Sequence, residues 1–258
     1  MERGSLQVRH ERLAQLINTV APVSLARDRV LRVVPALESL FPDAGLARGS
    51  TIGCHGVAAM SIALAVVAGA SADGSWLAVV GLPALGLRAA SEVGIALERL
   101  VMVAEVPDLN ETAWANMTAA LIDGFDLVAI RSGPHIRAGT ARRLQARLQA
   151  RGAVLIVVGD PGRFSCDLDI GVQHAVWEGL GDGAGRLARR RLTLSVSGRR
   201  LGRPRQTAVW LPGADGAIEA VVAMEVTAAA SPPASPPPVL TPPVLTPPVL
   251  VIALQQAV

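Results

Sequence analysis

Lysine is missing from this sequence: all 24 basic residues are arginine. A genome biased toward GC-rich codons explains the substitution, but the chemical consequence stands whatever the cause. No lysine can reach the phosphates of a bound nucleotide, form a Schiff base or act as a general base. Cysteine is scarce, with Cys54 and Cys166 in different segments. No apolar stretch precedes a cleavage site in the charged N-terminus (Glu2, Arg3, Arg9, Glu11, Arg12), which does not read as a secretory signal. Reduced thiols in a cytoplasmic protein are therefore expected. Long hydrophobic runs are also lacking, although the mean hydropathy is +0.42. Val57 to Ala70 and Trp76 to Leu87 are the longest. Each is shorter than the ~20 residues of a spanning helix, so both read as buried elements of a core and no membrane contact is expected. The four histidines (His10, His55, His135, His174) are scattered, and with Cys54 they match no metal-ligand spacing.

The 258 residues carry a net charge of +3, which conceals an uneven distribution. Most of the arginines fall between Arg131 and Arg205, against only Asp160, Asp167, Asp169, Glu178 and Asp182. The net charge therefore conceals one strongly basic stretch within a remainder that is acidic on balance. Arg189, Arg190, Arg191, Arg199, Arg200, Arg203 and Arg205 form the densest stretch. They are candidates for contact with DNA phosphates; the competing reading is a solvated strand edge on which arginine deters sheet-to-sheet pairing. No aromatic residue is interleaved among them in the sequence, so base stacking has no support at this level. Trp76, Trp114, Trp177 and Trp210 read as core or edge packing, with Trp210 a possible partner anchor.

Residues 1–34 are charged and mixed, with Leu13, Leu16, Ile17 and Val20 at helical spacing. Pro35 opens a second short helix that Pro42 ends. A regular alternation follows. Strands are expected at 51–54, 76–80, 100–104, 127–130 and 154–158, and helices at 57–70, 84–97, 111–122 and 138–150. That alternation indicates βαβ units and a mostly parallel sheet. After about residue 165 the pattern changes to strand candidates at 174–177, 187–196, 207–211 and 218–222 with no long helix between them, an antiparallel extension on one edge. Residues 231–250 are proline-rich and repeat Pro-Pro-Val-Leu three times. This composition favours an extended, disordered tail. Its apolar residues, Val244, Leu245, Val249 and Leu250 among them, also suit a docking peptide. The expected organisation is an N-terminal helical segment (1–34), an α/β core (35–226) and a Pro-rich tail (227–258).

The order of elements resembles the RecA core, a mostly parallel sheet flanked by helices with a small antiparallel C-terminal extension. Local matches are Leu46-Ala-Arg-Gly-Ser-Thr-Ile before the first core strand, the helix beginning Leu85-Gly-Leu-Arg, Gly124-Phe-Asp-Leu-Val-Ala-Ile, and Arg142-Arg-Leu through Val154-Leu-Ile-Val-Val. Three parts of the nucleotide machinery are absent. The loop His55-Gly56-Val57-Ala58-Ala59-Met60-Ser61 is too short for a phosphate loop, with one glycine and no lysine. Arg131 follows the strand that should end in a magnesium-organising carboxylate. Gly81-Leu82-Pro83-Ala84-Leu85 lacks a catalytic glutamate. Nucleotide hydrolysis, catalytic residues, cofactor and metal are not expected.

A degenerate RecA-like chain of this size resembles the actinobacterial mutasome accessory family ImuA-prime. The resemblance implies a non-catalytic accessory role in damage-induced, error-prone translesion synthesis. It implies as partners an inactive Y-family polymerase homologue (ImuB) and an error-prone C-family polymerase; RecA and DNA are further candidate partners. Leu13, Leu16, Ile17, Val244, Leu245, Val249 and Leu250 are the candidate docking residues. The alternative is a DNA-binding or nucleotide-binding regulator of recombination or cell division.

Overall fold

The computed structural model describes residues 30–104, 110–131, 136–180 and 185–221. The candidate docking residues Leu13, Leu16, Ile17, Val244, Leu245, Val249 and Leu250 lie outside them, as does the proline-rich segment.

Nine strands form one sheet in the order β11-β10-β9-β8-β3-β7-β6-β4-β5. They are β3 (Thr51–His55), β4 (Leu77–Val80), β5 (Leu100–Val103), β6 (Leu127–Arg131), β7 (Val154–Val158), β8 (Leu168–Leu180), β9 (Gly185–Ser197), β10 (Arg205–Trp210) and β11 (Glu219–Ala220). The run from β8 to β5 is parallel throughout. The strands from β9 to β11 are added antiparallel beyond β8.

Period-two alternation divides the core between the two faces of the parallel strands. Leu127, Ala129, Val154 and Ile156 pack on one side, with helix α1 (Ala59–Ala72). Val128, Ile130, Leu155 and Val157 pack on the other, with Trp114 of α3 (Glu111–Gly124) and Leu144 and Leu148 of α4 (Ala138–Arg151). Every residue of α1 from Ile62 to Ser71 is buried, as its lack of a polar stripe requires. Sheet covers one side of α1, and a hairpin that the sequence reading had not anticipated covers another. In it β1 (Val30–Arg32) pairs antiparallel with β2 (Gly45–Ala47), enclosing the short 3₁₀ segment Pro35–Leu40. The sequence places Val30 to Arg32 in an N-terminal helical segment, and the structure corrects this. Three residues are too few to show a period, and only pairing with β2 gives them extended structure.

Two further elements differ from expectation. Helix α2 spans only Leu87–Val93, because Gly86 stands extended at its N-cap and Gly94 turns left-handed (φ 107°) at its C-cap. Strand β8 is 13 residues long, whereas the sequence pattern predicts a strand only over residues 174–177. Its first half gives no sequence signal, because Leu168 and Ile170 alternate too briefly before Gly171 to show a period.

The helices on the second face are tied to each other. The side chain of Asn110 caps α3 by accepting from Ala113 N at 2.9 Å. Helix α4 has no side-chain cap of its own, and Glu111 of α3 supplies one. Its carboxylate accepts from Thr140 Oγ1 at 2.6 Å and from Arg137 N at 2.9 Å. The Thr140 hydroxyl and the Arg137 amide hold Glu111 below the ordinary carboxylate range. At the opposite end Asp123 accepts from Arg147 and Arg151, and the Arg147 bond foremost lowers its pKa to about 2.

Candidate functional site: the carboxyl edge of the sheet

In a parallel sheet the ligand crevice opens beyond the carboxyl ends of the strands, where successive crossovers diverge. Here that point lies at β3: the chain leaves it through α1 for β4 on one side, while β8 arrives on its other side. The β3–α1 connection has three residues, Gly56 to Ala58. Gly56 takes φ 91° and Val57 stands 83% exposed. Ala58, at the N-cap, offers no side-chain bond. A lysine-bearing phosphate loop is longer than these three residues.

Beside this turn, Ser61 in the first turn of α1 accepts a hydrogen bond from Arg190 Nη2 at 3.2 Å. The Arg190 Nε donates to the Leu211 carbonyl at 2.8 Å, and its guanidinium lies 5.0 Å from the centre of the Trp177 ring. Partial burial lowers the Arg190 pKa. A cation near the positive end of a helix is electrostatically unfavourable. The two hydrogen bonds and the indole contact offset this, and they clamp the antiparallel extension onto α1. Arg131 is exposed at the end of β6, where the RecA resemblance implies a magnesium-organising carboxylate. After β4, Leu82 and Leu85 are buried. Among the described residues no group of three or more His, Cys, Asp or Glu is arranged to hold a metal.

The structure does not gather the seven candidate arginines into one patch. Arg189, Arg190 and Arg191 lie in β9 toward the carboxyl edge, whereas Arg199, Arg200 and Arg203 lie in the turn before β10. At about 3.3 Å per strand residue the two groups stand roughly 20–25 Å apart. Arg189 donates to Glu178 at 2.9 Å, and its guanidinium lies 3.9 Å from the centre of the Trp210 ring. Trp210, considered above as a partner anchor, is only 3% exposed. Arg191 is paired in register with Val176 and Trp210. Arg199 approaches Asp167 at 3.6 Å beside a shallow depression that also includes Arg142, Gln145 and Gln149. Arg200 and Arg203 are exposed. Aromatic rings thus do accompany the arginines, contrary to the linear reading, because cross-strand register joins Trp177 to Arg190.

Arg205 has a structural task. Its Nη1 donates to the carbonyls of Ser39 (3.0 Å) and Phe41 (2.9 Å), fixing the 3₁₀ segment to β10. Arg205→Ala is expected to cost about 1–3 kcal/mol, since both carbonyls lose a charged donor. Arg203→Ala is expected to stay within about 0.5 kcal/mol of the parent. Urea denaturation of the two variants checks the contrast, and equal midpoints would contradict the latch.

The two thiols are held unreactive. Complete burial raises the Cys54 pKa, with Cys166 and Asp169 nearby adding to it. Cys166 is pushed up to about 12, chiefly by partial burial and then by the Asp169 carboxylate. At pH 8 both remain protonated and poorly nucleophilic. Labelling with a chromogenic disulfide is expected to be slow in the native protein and rapid for two thiols in denaturant; fast native labelling would contradict this placement.

The sequence model of the family described as the MT3502 N-terminal domain matches residues 39–162. The uncharacterized protein Rv3395c of Mycobacterium tuberculosis is 40% identical over 100 residues, which is 38% of this chain. The match spans 47% of that relative, about half its length. Among solved structures, the crystal structure of the RadB recombinase superposes with a TM-score of 0.50 at 15% identity, over 73% of this chain and 97% of that one. With the strand order described above, this likeness makes the fold of the chain RecA-like: a mostly parallel central sheet flanked by helices, with antiparallel strands at its C-terminal side.

Proposed function

We propose that this chain is a non-catalytic accessory protein of a damage-induced mutasome, supporting error-prone translesion DNA synthesis through protein–protein contacts. The observation that carries the reading is the three-residue β3–α1 turn, with Arg190 tethered to Ser61 beside it. A RecA-like frame is kept, while the position of the phosphate loop is given over to a contact that holds the fold together. Arg131 in place of a metal-organising carboxylate and the missing lysine agree with it. The resemblance to ImuA-prime supplies the partners: the inactive Y-family polymerase homologue ImuB and an error-prone C-family polymerase.

A second reading, a DNA-binding RecA-like regulator of recombination or cell division, draws on the exposed Arg200 and Arg203 with Arg199 in one turn. Each phosphate neutralised there would steepen the salt dependence of binding.

Affinity capture from damaged cells, with the full chain and a truncation ending at Val226, separates the two when combined with an oligonucleotide titration at two salt concentrations. Recovery of a polymerase homologue with weak DNA binding supports the accessory reading, and the truncation reports whether the tail is the dock. Absence of any polymerase-related protein would overturn it. Steep salt-dependent DNA binding, lost in the Arg200→Ala/Arg203→Ala double variant, would then favour the second reading.

A further inference from the structure

We infer that the outer half of β8 is a self-association edge, on which a second copy of this chain pairs antiparallel about a two-fold axis at Val176. This inference is independent of the proposed function and begins from strand lengths. β3 ends at His55, paired with Gly171, whereas β8 continues to Leu180. Beyond Gly171, among the described residues, β8 is paired only with β9. Every residue from Gln173 to Gly179 is exposed. A two-stranded ribbon of this kind is marginal in water by itself.

Of the devices that blunt a strand edge, this one lacks proline and strongly basic residues, and its register irregularities lie only at the two ends of the segment. Gln173-His174-Ala175-Val176-Trp177-Glu178-Gly179 contains no proline, lysine or arginine, and the arginines sit one strand further in, on β9. Val176 is 59% exposed and Trp177 41%. The other two edges of the sheet are short: β5 has four residues and β11 two.

The occupant follows from register. Pairing of β8 with β9 is regular from His174 to Glu178, with irregularities between Val172 and His174 and between Glu178 and Leu180. The straight segment is therefore centred on Val176. A two-fold axis perpendicular to the sheet keeps both faces, so an isologous antiparallel pair must be centred on a residue. Centred on Val176, the segment matches itself. Val176 meets Val176, the large Trp177 lies opposite the small Ala175, and the carboxylate of Glu178 lies opposite His174. Such cross-strand pairs are the unit of sheet stability. The positive charge of the hairpin does not forbid the match. Arg189 is neutralised by Glu178 and Arg190 is drawn toward α1. The Arg191 residues of the two copies would stand about 14 Å apart, three strand spacings, which exceeds the Debye length of about 8 Å at physiological salt.

Because residue 176 faces itself across the axis, charge there gives a test that also checks the register. Sedimentation velocity of the full chain is expected to show concentration-dependent formation of a species of twice 26.7 kDa. Val176→Asp and Val176→Arg are each expected to weaken association by about ten-fold or more, since like charges would lie directly opposite. An equimolar mixture of the two variants is expected to restore the dimer. A parent that stays monomeric up to hundreds of micromolar would overturn the inference. So would dimers unaffected by either substitution, or variants that fail to rescue each other. Far-ultraviolet circular dichroism of each variant confirms that a surface change at an exposed residue leaves the fold intact.

Discussion

Phe41→Ala is expected to lower stability by about 3–5 kcal/mol, the usual cost of truncating a fully buried phenylalanine. Phe41 is 1% exposed and packs in the cluster around α1. Its backbone adds to its role, because the Phe41 amide donates to Glu38 O and its carbonyl accepts from Arg205. The side chain fills the junction between the N-terminal 3₁₀ segment and the core, so its loss leaves a cavity and loosens the segment that Arg205 holds. For a domain of this size the change corresponds to a fall in Tm of roughly 10 °C. Thermal and urea denaturation check it. A loss below about 1 kcal/mol would mean that the segment does not rest on the core in solution.

Gly69→Val sets two effects against each other. Glycine inside a helix costs up to about 1 kcal/mol relative to alanine, so by propensity alone replacement with a residue bearing a Cβ is favourable or nearly neutral. Packing gives the opposite answer. A Cβ at residue 69 would lie 2.7 Å from the Val33 carbonyl carbon and 2.8 Å from the Arg32 oxygen. Both are backbone atoms and cannot swing aside. Overpacking of this kind costs about 1–3 kcal/mol and sometimes more, and valine adds two methyl groups to the clash. The expected result is a net loss of about 2–3 kcal/mol, read from urea denaturation. Exchange protection lost first at β1 and β2 would show that the hairpin gives way. An unchanged midpoint would mean that Val33 does not lie against α1.

The alternating part of the fold was legible because its signals are local. Val154 to Val158 is a continuous apolar run, β-branched except at Leu155; α4 shows apolar Leu144 and Leu148 against outward arginines, and Gly152 stops it. The elements that escaped notice have no local period: the three-residue strands β1 and β2, and the first half of β8. Helix α2 was overread because its apolar residues continue past Gly86 and Gly94, whose backbone conformations set the limits.

The candidate site divides in the same way. The missing lysine, the short turn after β3 and Arg131 after Ile130 are facts of composition and order, and the sequence alone determined them. Which arginines share a surface, and which are spent on the fold, was decided only by the tertiary structure. Arg189 through Arg205 are close in the chain, yet a strand runs at about 3.3 Å per residue and carries its ends far apart. Arg190 and Ser61 are distant in the chain, yet the pairing that adds the antiparallel strands to the sheet brings them within hydrogen-bond reach. A strand separates residues that are neighbours in sequence, and pairing joins those that are not, so chemistry fixed by residue type can be read along the chain whereas chemistry fixed by proximity cannot.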